Sequence, residues 1–213
     1  MAEDEGATAV VVSPVDKSSS VSIALVMNAW EMWIGNDKEV PELKADDPMR
    51  FPGILIDLRA ALDKNRMSSG PPGSLGMVIT FGDKPVIRVP MGPLANITGK
   101  SLGSQKDYFG ETGVELVSGL RLALSELAKV QTARRVLIVV CDGNDTNNDA
   151  AMAELAKLKK KAAQLDVQTF AIVYKAPLSA DPNILPAMIP DTTVITSGRD
   201  VDSAVAAIVA KIK

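Results

Sequence analysis

Five consecutive apolar residues, Val136-Leu137-Ile138-Val139-Val140, run into Cys141-Asp142-Gly143-Asn144. Nothing else on the chain narrows its fold as much. An uninterrupted apolar run of this length reads as a strand buried on both faces, the condition of strands inside a parallel sheet. A carboxylate at its carboxyl end, followed by a glycine that turns the chain, stands where open α/β sheets place their ligand sites.

The rest of the chain repeats the alternation that such a sheet requires. Val21–Val26 reads as a first core strand, and Gly35–Arg50 as a long polar loop. From Phe51 to Arg66 the residues Ile54, Leu55, Leu58, Ala61 and Leu62 recur at helical spacing, ended by Ser68-Ser-Gly-Pro-Pro-Gly73. Leu75–Phe81 and Pro85–Val89 flank Gly82-Asp-Lys84 as a β-hairpin. A second polar loop over 90–112 precedes a helix over 115–129. Then come the strand at 136–140, a helix over 149–164 capped by Asn148 or Asp149, and a strand over 167–173. A proline-broken stretch with one helical turn at 183–188 leads to a short strand over 193–196. A closing helix over 200–212 follows, with Asp200 as its N-cap. This order predicts an α/β fold of three layers: a doubly wound, mostly parallel sheet with one antiparallel edge hairpin. Residues 1–20, acidic and then Ser-rich, read as an N-terminal tail, and 21–213 as one domain.

Composition closes several functional routes. The chain of 213 residues has no histidine and one cysteine, which excludes histidine-based triads, ordinary zinc sites and an internal disulfide. A net charge of −3 gives no overall electrostatic case for nucleic acid or for an anionic membrane. The acidic start, Met1-Ala-Glu-Asp-Glu5, lacks the basic region of a signal peptide, so a cytoplasmic location is expected.

Four segments carry a family resemblance: Ile23-Ala-Leu-Val-Met-Asn-Ala-Trp-Glu-Met32, Met77-Val-Ile-Thr-Phe-Gly-Asp83, Gly113-Val-Glu-Leu-Val-Ser-Gly-Leu120 and Leu137-Ile-Val-Val-Cys-Asp-Gly143. In order and spacing they resemble the von Willebrand factor type A (vWA) domain over residues 21–213. The resemblance implies a Rossmann-like sheet with a metal-ion-dependent adhesion site on its carboxyl rim. In that family the site draws on Asp-x-Ser-x-Ser after the first strand, a loop threonine, and the aspartate of Thr-Asp-Gly. Here the first motif becomes Met27, Ala29 and Glu31 when Met32 closes it, or Asn28, Trp30 and Met32 after a shift of one. The loop threonine maps to Val114 or to Thr112, Cys141 replaces the threonine of the turn, and Asp142 alone is retained.

Magnesium takes six hard oxygen ligands in near-octahedral geometry. Asp142, Glu31 and Thr112 are the candidate metal ligands, and they fall short of that share, so the expected site is degenerate, no cofactor is required, and a divalent ion such as Mg2+ would be held weakly at most. The expected function is non-enzymatic: a scaffold that binds a protein partner through the rim, without nucleic acid or membrane. Trp30, Glu31, Trp33, Glu111 and Asp145 are the expected contacts, the indoles because tryptophan joins large apolar area to a single donor. The alternative is a metal-dependent adhesion domain built on Asp142.

Other motifs dissolve on inspection. Asp142-Gly-Asn-Asp-Thr-Asn-Asn-Asp149 resembles an element of haloacid dehalogenase-type phosphatases, but the position of their nucleophile reads Met27-Asn28-Ala29. Thr98-Gly-Lys-Ser101 lacks the earlier glycine of a phosphate loop, that position being Leu94. Lys157, Lys159, Lys160 and Lys161 read as a solvated helix face. Cys141, beside a carboxylate and without a base, reads as a packing residue.

Overall fold

A computed structural model describes residues 19–29, 54–108, 113–175, 183–196 and 198–212. The strands are β1 (Val21–Asn28), β2 (Leu75–Phe81), β3 (Pro85–Pro93), β4 (Arg134–Cys141), β5 (Val167–Tyr174) and β6 (Thr192–Ile195). The helices are α1 (Ile54–Lys64), α2 (Leu116–Leu127), α3 (Asn148–Gln164) and α4 (Arg199–Ile212). The strands form one sheet in the order β3-β2-β1-β4-β5-β6, parallel throughout except for the β2–β3 pair. This is the doubly wound architecture the alternation predicts.

All eight residues of β1 are buried, and so are the last six of β4, because helices cover both faces of the sheet. On one side α1 and α4 pack over Ile23, Leu25, Met27, Phe170 and Ile172. On the other, α2 and α3 pack over Ala24, Val26, Phe81, Val139 and Cys141. Gly119 lets α2 lie close to β2, since a Cβ there would stand 3.1 Å from the Phe81 ring. The parallel strands place Asn28, Phe81, Cys141, Tyr174 and Ile195 on one rim. No described helix is long and apolar enough to cross a membrane.

Several local expectations need correction. β3 extends to Pro93 instead of ending at Val89, and it tolerates Pro90 because it is an edge strand with an irregular register. The stretch expected as polar loop after it contains short 3-10 turns that bury Leu94, Ile97, Leu102 and Tyr108 in the α1-side core. Asp200 does not cap α4, which already begins at Arg199. At α3 the cap is Asn147, whose Oδ1 accepts the Ala150 amide at 3.1 Å, while the Asn148 side chain accepts the Asp145 amide at 2.9 Å.

Candidate functional site

The rim is built where β1, β2 and β4 end and three turns meet. Met27 pairs with Val140 across β1 and β4, and its side chain lies in the α1/α4 core together with Ala29. Alternation along the strand then sends Asn28 to the other side. There its amide Nδ2 lies 3.5 Å from Asp142 Oδ1, although Asn28 is 0% exposed. The geometry therefore rejects Met27 as the counterpart of the first aspartate in the adhesion motif and selects the shifted register, led by Asn28.

Asp142 is held from its own turn as well. Its Oδ1 accepts the Asn144 main-chain amide at 3.3 Å, and its Oδ2 accepts Asn144 Nδ2 at 3.1 Å. Gly143 makes the turn with φ of 87°, and a Cβ there would stand 2.6 Å from Asn183 Oδ1. The Gly143 carbonyl accepts the Ile184 amide at 2.9 Å, which fixes the turn against the segment before β6. Cys141 is fully buried, and burial, then the charge of Asp142, push its thiol well above the ordinary range. A thiol so held stays protonated and is no nucleophile.

The second turn is tied to the first. Val114 donates its amide to Thr146 Oγ1 at 3.3 Å and accepts the Thr146 amide at 2.9 Å. Asp145 Oδ2 accepts the Val117 amide at 2.9 Å, satisfying an otherwise unpaired donor in the first turn of α2. Its Oδ1 accepts the Asn147 amide at 3.3 Å. Glu115 donates its amide to the Gly82 carbonyl at 2.9 Å, joining the β2–β3 turn to the group. Between the starts of α2 and α3 lies an open groove of about 270 Å³, lined by Glu115, Ser118, Arg121, Asp145 and Glu154 among others. Arg121 reaches Glu154 at 3.0 Å.

Of the residues expected at the site, Asp142 and Asp145 lie on this rim; Trp30, Glu31, Trp33, Glu111 and Thr112 fall outside the described residues. Asn28 is the Asp142 partner that sequence reasoning placed second, and Asn144 the one it missed.

A hard divalent cation does not fit the described groups. At the ends of β1 and β4 they offer one carboxylate, Asp142, whose oxygens already accept from two asparagines; the oxygens of Asp145 are taken by the Val117 and Asn147 amides, and Val114 and Cys141 supply no side-chain oxygen. No group of three or more acidic, cysteine or histidine residues among the described residues could hold a metal.

No family model matches the chain, and no curated protein matches it. Solved structures do. A conserved hypothetical protein, BatB from Bacteroides thetaiotaomicron, superposes with a TM-score of 0.58 at 12% identity, covering 91% of this chain and 98% of that one. The von Willebrand factor type A protein from Catenulispora acidiphila gives 0.60 at 12% identity, over 91% of this chain and 42% of that one. The vWF domain of the type V pili tip protein Mfa5 from Porphyromonas gingivalis gives 0.60 at 10% identity, over 91% and 95%. Sheet order, the single antiparallel edge and these superpositions agree: the chain has the von Willebrand factor type A fold.

Proposed function

We propose that this chain is a non-enzymatic protein-binding module whose carboxyl rim engages a partner without a bridging metal ion. One observation carries the reading: an asparagine amide, not a second carboxylate, faces Asp142 across the ends of β1 and β4. Two facing carboxylates would need a cation between them. An amide donor instead satisfies Asp142 from within the chain, so the rim holds its shape through hydrogen bonds alone. Partner contact then falls to the residues around it: Trp30, Glu31 and Trp33 after β1, Glu111 before α2, and the groove that Asp145 shapes. A neighbour of the same fold at a pilus tip is consistent with a binding role for such a rim.

A second reading, a metal-dependent module using Asp142 with Glu31 and Thr112, has one observation in its favour. Asn144 Oδ1 is buried without a hydrogen-bond partner among the described residues, next to the Asp142 carboxylate. The two readings separate in a cross-linking experiment that compares partners recovered with EDTA and with Mg2+. The first predicts the same partners in both, reduced by Trp30→Ala with Trp33→Ala. Loss of every partner in EDTA would overturn it.

A further inference from the structure

A cavity of about 370 Å³ opens at the opposite pole, at the amino ends of β4 and β5, lined by Arg134, Arg135, Ala163, Asp166, Val167 and Gln168. Arg135 has a structural task there. Its Nη1 donates to the Leu165 carbonyl at 3.0 Å and its Nη2 to the Val130 carbonyl at 2.9 Å. It thereby neutralises the carbonyl end of α3, which would otherwise repel an anion. Arg134 is different. Its main-chain amide donates to the Ser20 carbonyl at 3.1 Å, while its guanidinium makes no hydrogen bond or ion pair among the described residues.

The cavity wall continues into more unpaired positive charge. Lys159 and Lys160 precede Ala163 by four and three residues, so they stand one turn away on the same helix face. Both are exposed, and neither has a carboxylate partner among the described residues. Lys157, by contrast, is paired to Glu154 at 2.6 Å. Asp166 is the single carboxylate in the cavity lining among the described residues. Around the cavity, Arg134, Arg135, Lys159 and Lys160 outnumber Asp166 among the described residues, and such a local excess of positive charge draws anions.

We propose that this cavity binds a phosphate-bearing anion. The planar guanidinium of Arg134 offers two parallel donors that match phosphate oxygens, and the exposed Gln168 amide adds a neutral donor. Lys159 and Lys160 add charge beside the mouth, more than a single carboxylate needs and suited to an anion of charge two or more. A phosphoryl group could come from a free small molecule or from a lipid headgroup; the recognition chemistry is the same.

Calorimetric titration of the full chain with inorganic pyrophosphate tests this, using Arg134→Gln, Lys159→Gln with Lys160→Gln, and Lys84→Gln in the distant β2–β3 turn. Saturable binding should weaken about tenfold in Arg134→Gln, weaken and lose part of its salt dependence in the double variant, and stay unchanged in Lys84→Gln. Vesicles of phosphatidylcholine with and without phosphatidylinositol 4-phosphate distinguish the source. Capture only by the phosphorylated vesicles assigns a headgroup, and no capture alongside pyrophosphate binding assigns a free phosphate. Absence of both bindings, or equal affinity in wild type and Arg134→Gln, would overturn the proposal.

Discussion

Asn28 and Asp142 face each other across the ends of adjacent parallel strands, amide Nδ2 to carboxylate Oδ1 at 3.5 Å. The separation is at the long limit of a hydrogen bond, yet the amide sits in full burial where water cannot replace the acceptor.

Replacing Asn28 by Asp should therefore turn a weak attraction into repulsion between a buried carboxylate and Asp142. We expect a loss of about 3 kcal/mol at neutral pH in urea denaturation. The loss should shrink as pH falls and the new carboxyl protonates. An unchanged midpoint would mean that the two side chains do not face each other in solution.

Asp142→Ala removes the acceptor for Asn28, for the Asn144 amide and for the Asn144 side chain together. A cost of about 1–3 kcal/mol should follow from buried donors left unpaired. Hydrogen exchange would place the loss at the ends of β1 and β4, with β3 little affected.

Gly143→Ala should cost about 1–3 kcal/mol, because φ of 87° and the 2.6 Å approach to Asn183 both resist a Cβ. Gly113 also meets its neighbours closely, but its backbone lies outside the left-handed region, so Gly143 is the sharper test.

Alkaline stability should fall in two steps. Burial holds the Cys141 thiol protonated in the folded chain, whereas the unfolded chain ionises from about pH 9. Folding is thus opposed as pH rises past that value. Burial likewise pushes Tyr108 up to about 12 from 10.0 in the unfolded state, and its hydroxyl donates to the Leu102 carbonyl. That group adds about 3 kcal/mol of lost stability between those values. Cys141→Ala should flatten the first step and Tyr108→Phe the second, read from urea midpoints against pH.

The sheet and its helices were legible because apolar runs and helical periodicity are local signals. The detail of the rim was not. With β1 buried on both faces there is no apolar–polar alternation to fix which residue faces which side, so Met27 and Asn28 competed for one position. Only the packing of Met27 against α1 and α4 decides between them. The 3-10 segment after β3 was hidden for a related reason: Leu94, Ile97, Leu102 and Tyr108 follow no single period. At α3, three consecutive polar residues could each cap, and the choice of Asn147 depends on Asp145 engaging Asn148. The local excess of positive charge around Arg134 was masked because a net charge averages over the whole chain.

The central claim, a rim closed by hydrogen bonds in place of a cation, meets its most direct test in the melting temperature of the wild-type chain titrated with Mg2+, Ca2+ and Mn2+ after EDTA treatment. A ligand that binds only the folded state raises stability by RT ln(1 + [L]/Kd), so tight binding cannot escape notice. The account predicts no rise with any of the three ions in wild type and a Mg2+-dependent rise in Asn28→Asp. A saturable rise in wild type that disappears in Asp142→Ala would contradict it.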